Sequence, residues 1–279
     1  MHTRNFTTGM VLSLLLASLA SAGTISTLYL TAGDQAQFVA ITGVTVQTFD
    51  QAPNTHGGGL GDEYAIAVLG TIRTLGNGNQ GGDVTESYSG AEYQPDGTPT
   101  GVNFAYPLST GGAFYDGATN GVNNFSVDYN TGAVYQFNLD WTNPVLLFAA
   151  NALDIGITYD PVNQSLWIVP YSGTDVRDYS LAGALLTSFT ASAPVYGLAM
   201  DYADNTLWAD GHGTLYQYSR TGASLSSFGD GLAQNTLGAE FAFLDASPAN
   251  TPEPGTAMLA LGGLLIAAFR KGGWTRSRS

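Results

Sequence analysis

One period governs the middle of this chain. Ile155-Gly-Ile-Thr-Tyr-Asp160, followed by Ser165-Leu-Trp167, returns as Tyr196-Gly-Leu-Ala-Met-Asp201, followed by Thr206-Leu-Trp208. Gly156 and Gly197, Asp160 and Asp201, Trp167 and Trp208 therefore share one spacing, 41, and Gly238 lies 41 beyond Gly197. A second set, Tyr179-Ser180, Gly183 and Phe189, recurs at a constant 39 as Tyr218-Ser219, Gly222 and Phe228. Gly132-Ala-Val-Tyr-Gln136 matches Gly213-Thr-Leu-Tyr-Gln217 at 81, about two periods. Self-similarity with a period of about 40 residues, and four short strands in each unit, is the sequence signature of a β-propeller.

The local chemistry agrees. Ser165 to Val169, Leu215 to Tyr218 and Val134 to Phe137 are short runs of β-branched, Leu and aromatic residues, which favour strands. Between such runs lie Asp160-Pro-Val-Asn163, Asp201-Tyr-Ala-Asp-Asn205, Asp128-Tyr-Asn-Thr-Gly132 and Arg220-Thr-Gly222. Asp and Asn close tight turns by accepting from nearby backbone N–H groups, and Gly supplies positive φ. The Gly-to-Phe spacing predicts last strands ending near residues 49, 104, 148, 189 and 228. Thr27-Leu-Tyr29, Gly43 and Phe49 match Thr206-Leu-Trp208, Gly222 and Phe228 at a constant 179, so the N-terminal strand corresponds to the second strand of a unit. Leu237 to Phe243 supplies a first strand with nothing after it. The expectation is an all-β propeller of five blades, one of them completed from both ends of the chain, which hides edges that an open array would expose. A sixth blade from the long unit at 57–106 and a two-sheet sandwich are the competing readings. The sandwich gives no cause for the 41 and 179 spacings.

Composition narrows the function. Between residues 23 and 248 the only cations among Lys and Arg are Arg73, Arg177 and Arg220, against 21 of the chain's 22 carboxylates, a net charge of −18. Nucleic acid is excluded as a partner by that balance, because phosphate contacts need clustered Lys and Arg. The chain has no cysteine, so packing rather than disulfides must hold it together.

Both ends of the sequence read as addresses. Residues 1–22 combine Arg4, an apolar stretch from Met10 to Leu19, and Ala20-Ser21-Ala22 before Gly23, the pattern of a secretory signal peptide cut after small residues such as Ala20 and Ala22. At the other end, in 249–279, Pro252-Glu253-Pro254 precedes the apolar run Thr256 to Phe269 and the basic pair Arg270-Lys271. As a helix the 14-residue run would extend about 21 Å, short of the roughly 30 Å hydrocarbon core. The positive residues hold its end on the cytoplasmic side. This tail resembles the PEP-CTERM sorting signal of Gram-negative bacteria, a segment that also carries the name of an ice-binding protein C-terminal domain. The resemblance implies cleavage near Pro252 to Pro254 by an exosortase, with signal peptidase acting at the other end and the inner membrane holding the precursor. It also implies display or release at the cell surface in association with exopolysaccharide and biofilm matrix. The stretches around Asp154 to Asp160 and Ser165 to Trp167 are similar to those of other sorting-signal proteins with propeller-like middles.

No catalytic motif stands out. Gly-x-Ser-x-Gly is missing from the sequence, and Gly57-Gly58-Gly59 and the 76–82 Gly-rich run lack the Lys-Ser/Thr of a phosphate loop. No cofactor or metal is expected. Asp201 with Asp204, and Asp175 with Asp178, are too sparse for a calcium loop and read as turn caps. His56 and His212 are the only histidines between the terminal segments. His212, in Asp210-Gly-His-Gly213, reads as a loop residue. Trp167 and Trp208 read as repeated core residues. The leading expectation is a non-enzymatic binding or structural protein, with polysaccharide or another surface protein as partner. The alternative is a secreted propeller lyase or hydrolase using His212 with carboxylates on the ring face.

Overall fold

Apolar-aromatic runs broken by Asp, Asn and Gly turns form twenty strands in the computed structural model, which describes residues 26–32, 37–42, 45–49, 63–76, 89–108, 112–230 and 236–243. The strands group into antiparallel sheets of four. One contains β1 (Leu28–Ala32), β2 (Gln37–Thr42) and β3 (Thr45–Phe49). The next holds β4 (Glu63–Leu69), β5 (Thr71–Gly76), β6 (Gly90–Tyr93) and β7 (Pro99–Phe104), and the third β8 (Phe114–Thr119), β9 (Asn123–Asp128), β10 (Ala133–Asn138) and β11 (Val145–Ala149). Then follow β12 (Asp154–Asp160), β13 (Ser165–Pro170), β14 (Gly173–Ser180) and β15 (Leu185–Val195), and lastly β16 (Gly197–Asp201), β17 (Thr206–Asp210), β18 (Thr214–Tyr218) and β19 (Ser224–Gly229). The final strand, β20 (Thr236–Phe241), joins the first sheet, whose order is β20-β1-β2-β3.

The first strands of successive units, β4, β8, β12, β16 and β20, pack on one another around a common axis, and β20 closes on β4. This is a β-propeller arrangement. The pairing of the two chain ends is antiparallel, with Leu28 opposite Phe241 and Leu30 opposite Ala239. The unit expected at 57–106 contributes four strands between Glu63 and Phe104. The signal segment, the tail from residue 249, and the segment of the first half containing His56 lie outside the described residues, so the helices expected at the two ends do too.

Packing between sheets accounts for the repeat. Trp167 and Trp208 are 1% and 2% exposed, in the second strands β13 and β17. Each meets the last-strand Phe of its own sheet, Phe189 or Phe228, at 5.7 Å between ring centroids. Burying aromatics of this size is the main favourable term available to a chain without disulfides. The constant spacing of the turn glycines and last-strand Phe residues has a steric cause. Gly222 turns at φ +83, and a Cβ there would lie 2.4 Å from the Cβ of Phe189 in the preceding sheet. Gly183 meets Phe148 in the same way.

One carboxylate ties the axis together. Asp116, fully buried in β8, accepts from the backbone N–H groups of Ile157, Leu198 and Ala239 at 2.9, 3.0 and 2.9 Å, and from its own neighbour Gly117 at 2.9 Å. Ile157, Leu198 and Ala239 lie 41, 82 and 123 residues beyond it. Asp116 thus occupies their place in its own unit and binds the backbone of its own equivalents on three other inner strands. Burial pushes its carboxyl well up, and the four N–H bonds pull against that. Beside it on the axis, buried Glu240 accepts from the Tyr202 hydroxyl at 2.8 Å and faces the Thr158 hydroxyl at 3.4 Å.

Candidate binding face

The two ends of the ring are built differently. The lower end carries the turns joining first to second and third to fourth strands. The upper end carries the loops joining second to third strands and the links between sheets. Six rings follow one another along the upper end. Tyr64 of β4 lies 5.4 Å from Tyr115 of β8, and Tyr115 lies 5.4 Å from Tyr129 beyond β9. Tyr129 is 6.0 Å from Tyr171 beyond β13, and Tyr171 is 5.2 Å from Tyr196 ahead of β16. Tyr196 stacks on His212 at 3.4 Å with 11° between planes. The arc crosses four sheets, and Tyr171 is its most open member at 47% exposed. Tyr171 and His212 repeat the 41 spacing themselves, in equivalent second-to-third loops.

The loops beneath the rings are pinned by buried carboxylates. Asp128 accepts from the N–H groups of Ala113 and Asn130 and from the Thr131 hydroxyl. Asp154 accepts from the Asn151 N–H at 2.9 Å and pairs with the guanidinium of Arg177, which also reaches Asp175 at 3.4 Å. Burial pushes the Asp154 carboxyl up against those contacts. Glu63, at the start of β4, accepts from the hydroxyls of Thr74 and Tyr93, and burial pushes it to about 7. Asp210 accepts from the His212 backbone N–H at 3.1 Å, while its Oδ2 is buried without a hydrogen-bond partner. Burial and the charge of Asp230 push its carboxyl well up.

His212 lies in the loop between second and third strands, as its sequence context indicated. Its Nε2 is 3.1 Å from the Thr236 carbonyl, which makes Nε2 the protonated nitrogen of a neutral ring. Burial pushes its pKa down. Asp210 engages the His212 backbone, and the charge of Asp230 acts on the imidazole. The bond at Nε2 and the stack on Tyr196 brace the loop, and this tautomer leaves Nδ1 as the ring's acceptor nitrogen.

The remaining candidates resolve as structural. Asp160 and Asp201 are lower-end turn caps, accepting from Val162 and Asn163, and from Ala203. Asp204 accepts from Thr206, Asp175 pairs with Arg177, and Asp178 accepts from Asn163. Among the described residues no group of three or more His, Asp or Glu converges on a possible metal position. The processing residues Ala20, Ala22, Pro252, Glu253, Pro254, Arg270 and Lys271 lie outside the described residues. Asp116 and the tyrosine arc escaped the sequence reading. Carrying the 41 spacing back from Ile157 lands on Asp116, a lone carboxylate in an apolar column, and carrying it back from His212 lands on Tyr171.

No protein-family model matches the chain, and no curated protein matches it in sequence. Solved structures do match in shape. A chain of a nidogen/laminin complex superposes with a TM-score of 0.53 at 11% identity, over 78% of this chain and 98% of that one. A streptogramin B lyase matches at TM-score 0.42 and 13% identity over 76% of this chain and 72% of its own. Glutaminyl cyclase of Myxococcus xanthus matches at 0.44 and 12%, over 72% and 74%. At such identities the likeness to the nidogen/laminin chain speaks to the fold alone, and that fold is the propeller.

Proposed function

We propose that this chain is an exported five-bladed propeller that works by binding, with the tyrosine-lined upper end as its contact surface. The observation that carries the reading is the arc of six neighbouring rings across four sheets. Tyr64 anchors the arc from a buried position, while the rings from Tyr115 to His212 are partly open. Such rings on a rigid scaffold are a usual chemistry of recognition, because each offers a large contact area at low entropic cost. The terminal segments supply the route. The segment ending at Ala20-Ser21-Ala22 directs export, the run 256–269 holds the precursor in the inner membrane, and an exosortase cuts near Pro252-Glu253-Pro254. The product is a matrix-associated surface or extracellular protein. A lyase or hydrolase built on His212, whose Nε2 is held by a carbonyl and whose face stacks on Tyr196, is the second reading.

Two experiments test the proposal. Replacing Pro252, Glu253 and Pro254 together with alanine leaves a membrane-retained precursor of full length; a variant processed at the normal rate refutes the sorting claim. Retention of extracellular matrix material on the immobilised protein falls when Tyr171 is replaced by alanine; undiminished retention refutes the binding face.

A further inference from the structure

We infer that the ligand of this face is a linear glycan carrying no carboxylate or sulfate, held more tightly when it bears free amines. The inference rests on the binding-face reading and names the chemistry of that face. Three observations carry it.

The open rings are tyrosines from Tyr115 to Tyr196, closed by His212, so each apolar plane comes with a polar edge. Sugars present the same alternation of C–H faces and hydroxyl rims, and a row of such rings suits a chain of sugars better than a compact molecule.

Leu153 stands between two of the rings. Its N–H donates to the Tyr129 carbonyl at 2.7 Å, and its carbonyl accepts from the Tyr171 N–H at 2.8 Å. It adopts φ 70, a left-handed conformation that costs a branched residue about 1–2 kcal/mol, yet its side chain stays 53% exposed. The two backbone hydrogen bonds hold that conformation and leave the side chain exposed beside the two rings. A ligand face laid across Tyr129, Leu153 and Tyr171 would cover it.

Charge sets the class. Asp175 is 61% exposed, and Asp128, Asp154, Asp210 and Asp230 lie buried beneath the same surface. Arg177 is 7% exposed and already paired with Asp154 and Asp175. A polyanion would meet an exposed carboxylate and an occupied guanidinium. An ammonium group gains from the exposed Asp175 carboxylate and from the faces of the tyrosines.

Isothermal titration of the full-length chain with three hexasaccharides provides the test: β-1,4-glucosamine, cellohexaose and oligogalacturonate. The expected order of affinity is amine, then neutral, then uronate, with about tenfold or more between the extremes in low salt and a smaller gap at high salt. Tyr171→Ala weakens the first two about tenfold with an unchanged thermal midpoint. Uronate bound as tightly as glucosamine overturns the glycan class while leaving the binding face intact. Tight glycan binding unaffected by Tyr171→Ala and Leu153→Gly overturns the face itself. No binding of any hexasaccharide, with matrix retention still sensitive to Tyr171→Ala, overturns the glycan and keeps the face.

Discussion

The lower and upper ends of the ring close their loops with the same acidic residue type and differ in what those loops carry. At the lower end, acidic side chains close turns and tie neighbouring groups to them. Asp160 caps its turn, accepts from the Trp167 indole N–H at 3.2 Å, and draws Arg220 across from the next sheet at 2.7 Å. Gly183 and Gly222 take the positive φ that tight turns require and clear the neighbouring Phe rings. At the upper end, carboxylates are buried under the loops, burial pushes Glu63, Asp154 and Asp210 up, and left-handed φ falls on Leu153, Ser172 and His212 as well as on glycine. Left-handed φ on residues other than glycine also occurs in the lower-end turns, at Trp141, Asn143, Gln164 and Asn205, so what sets the upper end apart is its row of neighbouring rings.

Breaking the axis should remove the difference by destroying both ends. Asp116 serves the two alike, since its carboxylate receives N–H groups from three other inner strands. Asp116→Ala leaves those buried donors unmet, at about 1–3 kcal/mol each. The expected outcome is loss of roughly 3 kcal/mol or more, enough to unfold a marginal domain. Asp116→Asn should fall between, because its amide keeps an acceptor oxygen but turns N–H groups towards N–H groups. Urea denaturation of the two variants checks the order; equal stability of Asp116→Ala and the parent would remove Asp116 from the centre of the fold.

A smaller effect is read through pH. Glu63 lies in the upper half, and its pKa is raised from 4.5 to about 7 by burial. The folded state therefore holds its proton more tightly than the unfolded chain. Stability from this group is complete below about pH 4.5 and declines as pH rises towards 7, by roughly 3 kcal/mol in all. Asp210 and Glu240, both pushed well up by burial, act with the same sign. Glu63→Gln keeps an acceptor for Thr74 and Tyr93 and should flatten the fall in denaturation midpoint between pH 4.5 and 8. An unaltered slope would show that Glu63 does not titrate across this range.

The contrast between the ends also explains what could be read in the sequence. The lower end was legible because its chemistry is local. Asp160 and Asp201 cap within three residues, and Trp167 and Trp208 repeat with the period because every sheet packs the same way. Pairing of β1 with β20 was legible for the same reason, since the 179 spacing places Thr27-Leu-Tyr29 in the role of a second strand. The upper end was not legible. Its tyrosines come from an inner strand in Tyr64 and Tyr115, from second-to-third loops in Tyr129 and Tyr171, and from a link between sheets in Tyr196. No single spacing collects positions of three kinds, and only folding brings the rings together. Asp116 was missed because it breaks the repeat: three units place an apolar residue where it places a carboxylate.

The smallest effect isolates the lower end. Asp201 is 2% exposed, accepts from the Ala203 N–H at 2.9 Å, and receives the Ser26 hydroxyl at 2.9 Å, tying the start of β1 to the turn after β16. Asp201→Ala removes one turn cap and one link to the N-terminal strand, a loss of about 1–2 kcal/mol. Asp201→Asn retains an oxygen for both donors and should cost less than half of that. Neither change touches the tyrosine arc, so retention of matrix material should match the parent in both variants while the thermal midpoint falls in the first. If Asp201→Ala weakened binding as strongly as Tyr171→Ala does, the two ends would be coupled through the sheets, and the division of labour between a folding end and a binding end would have to be given up.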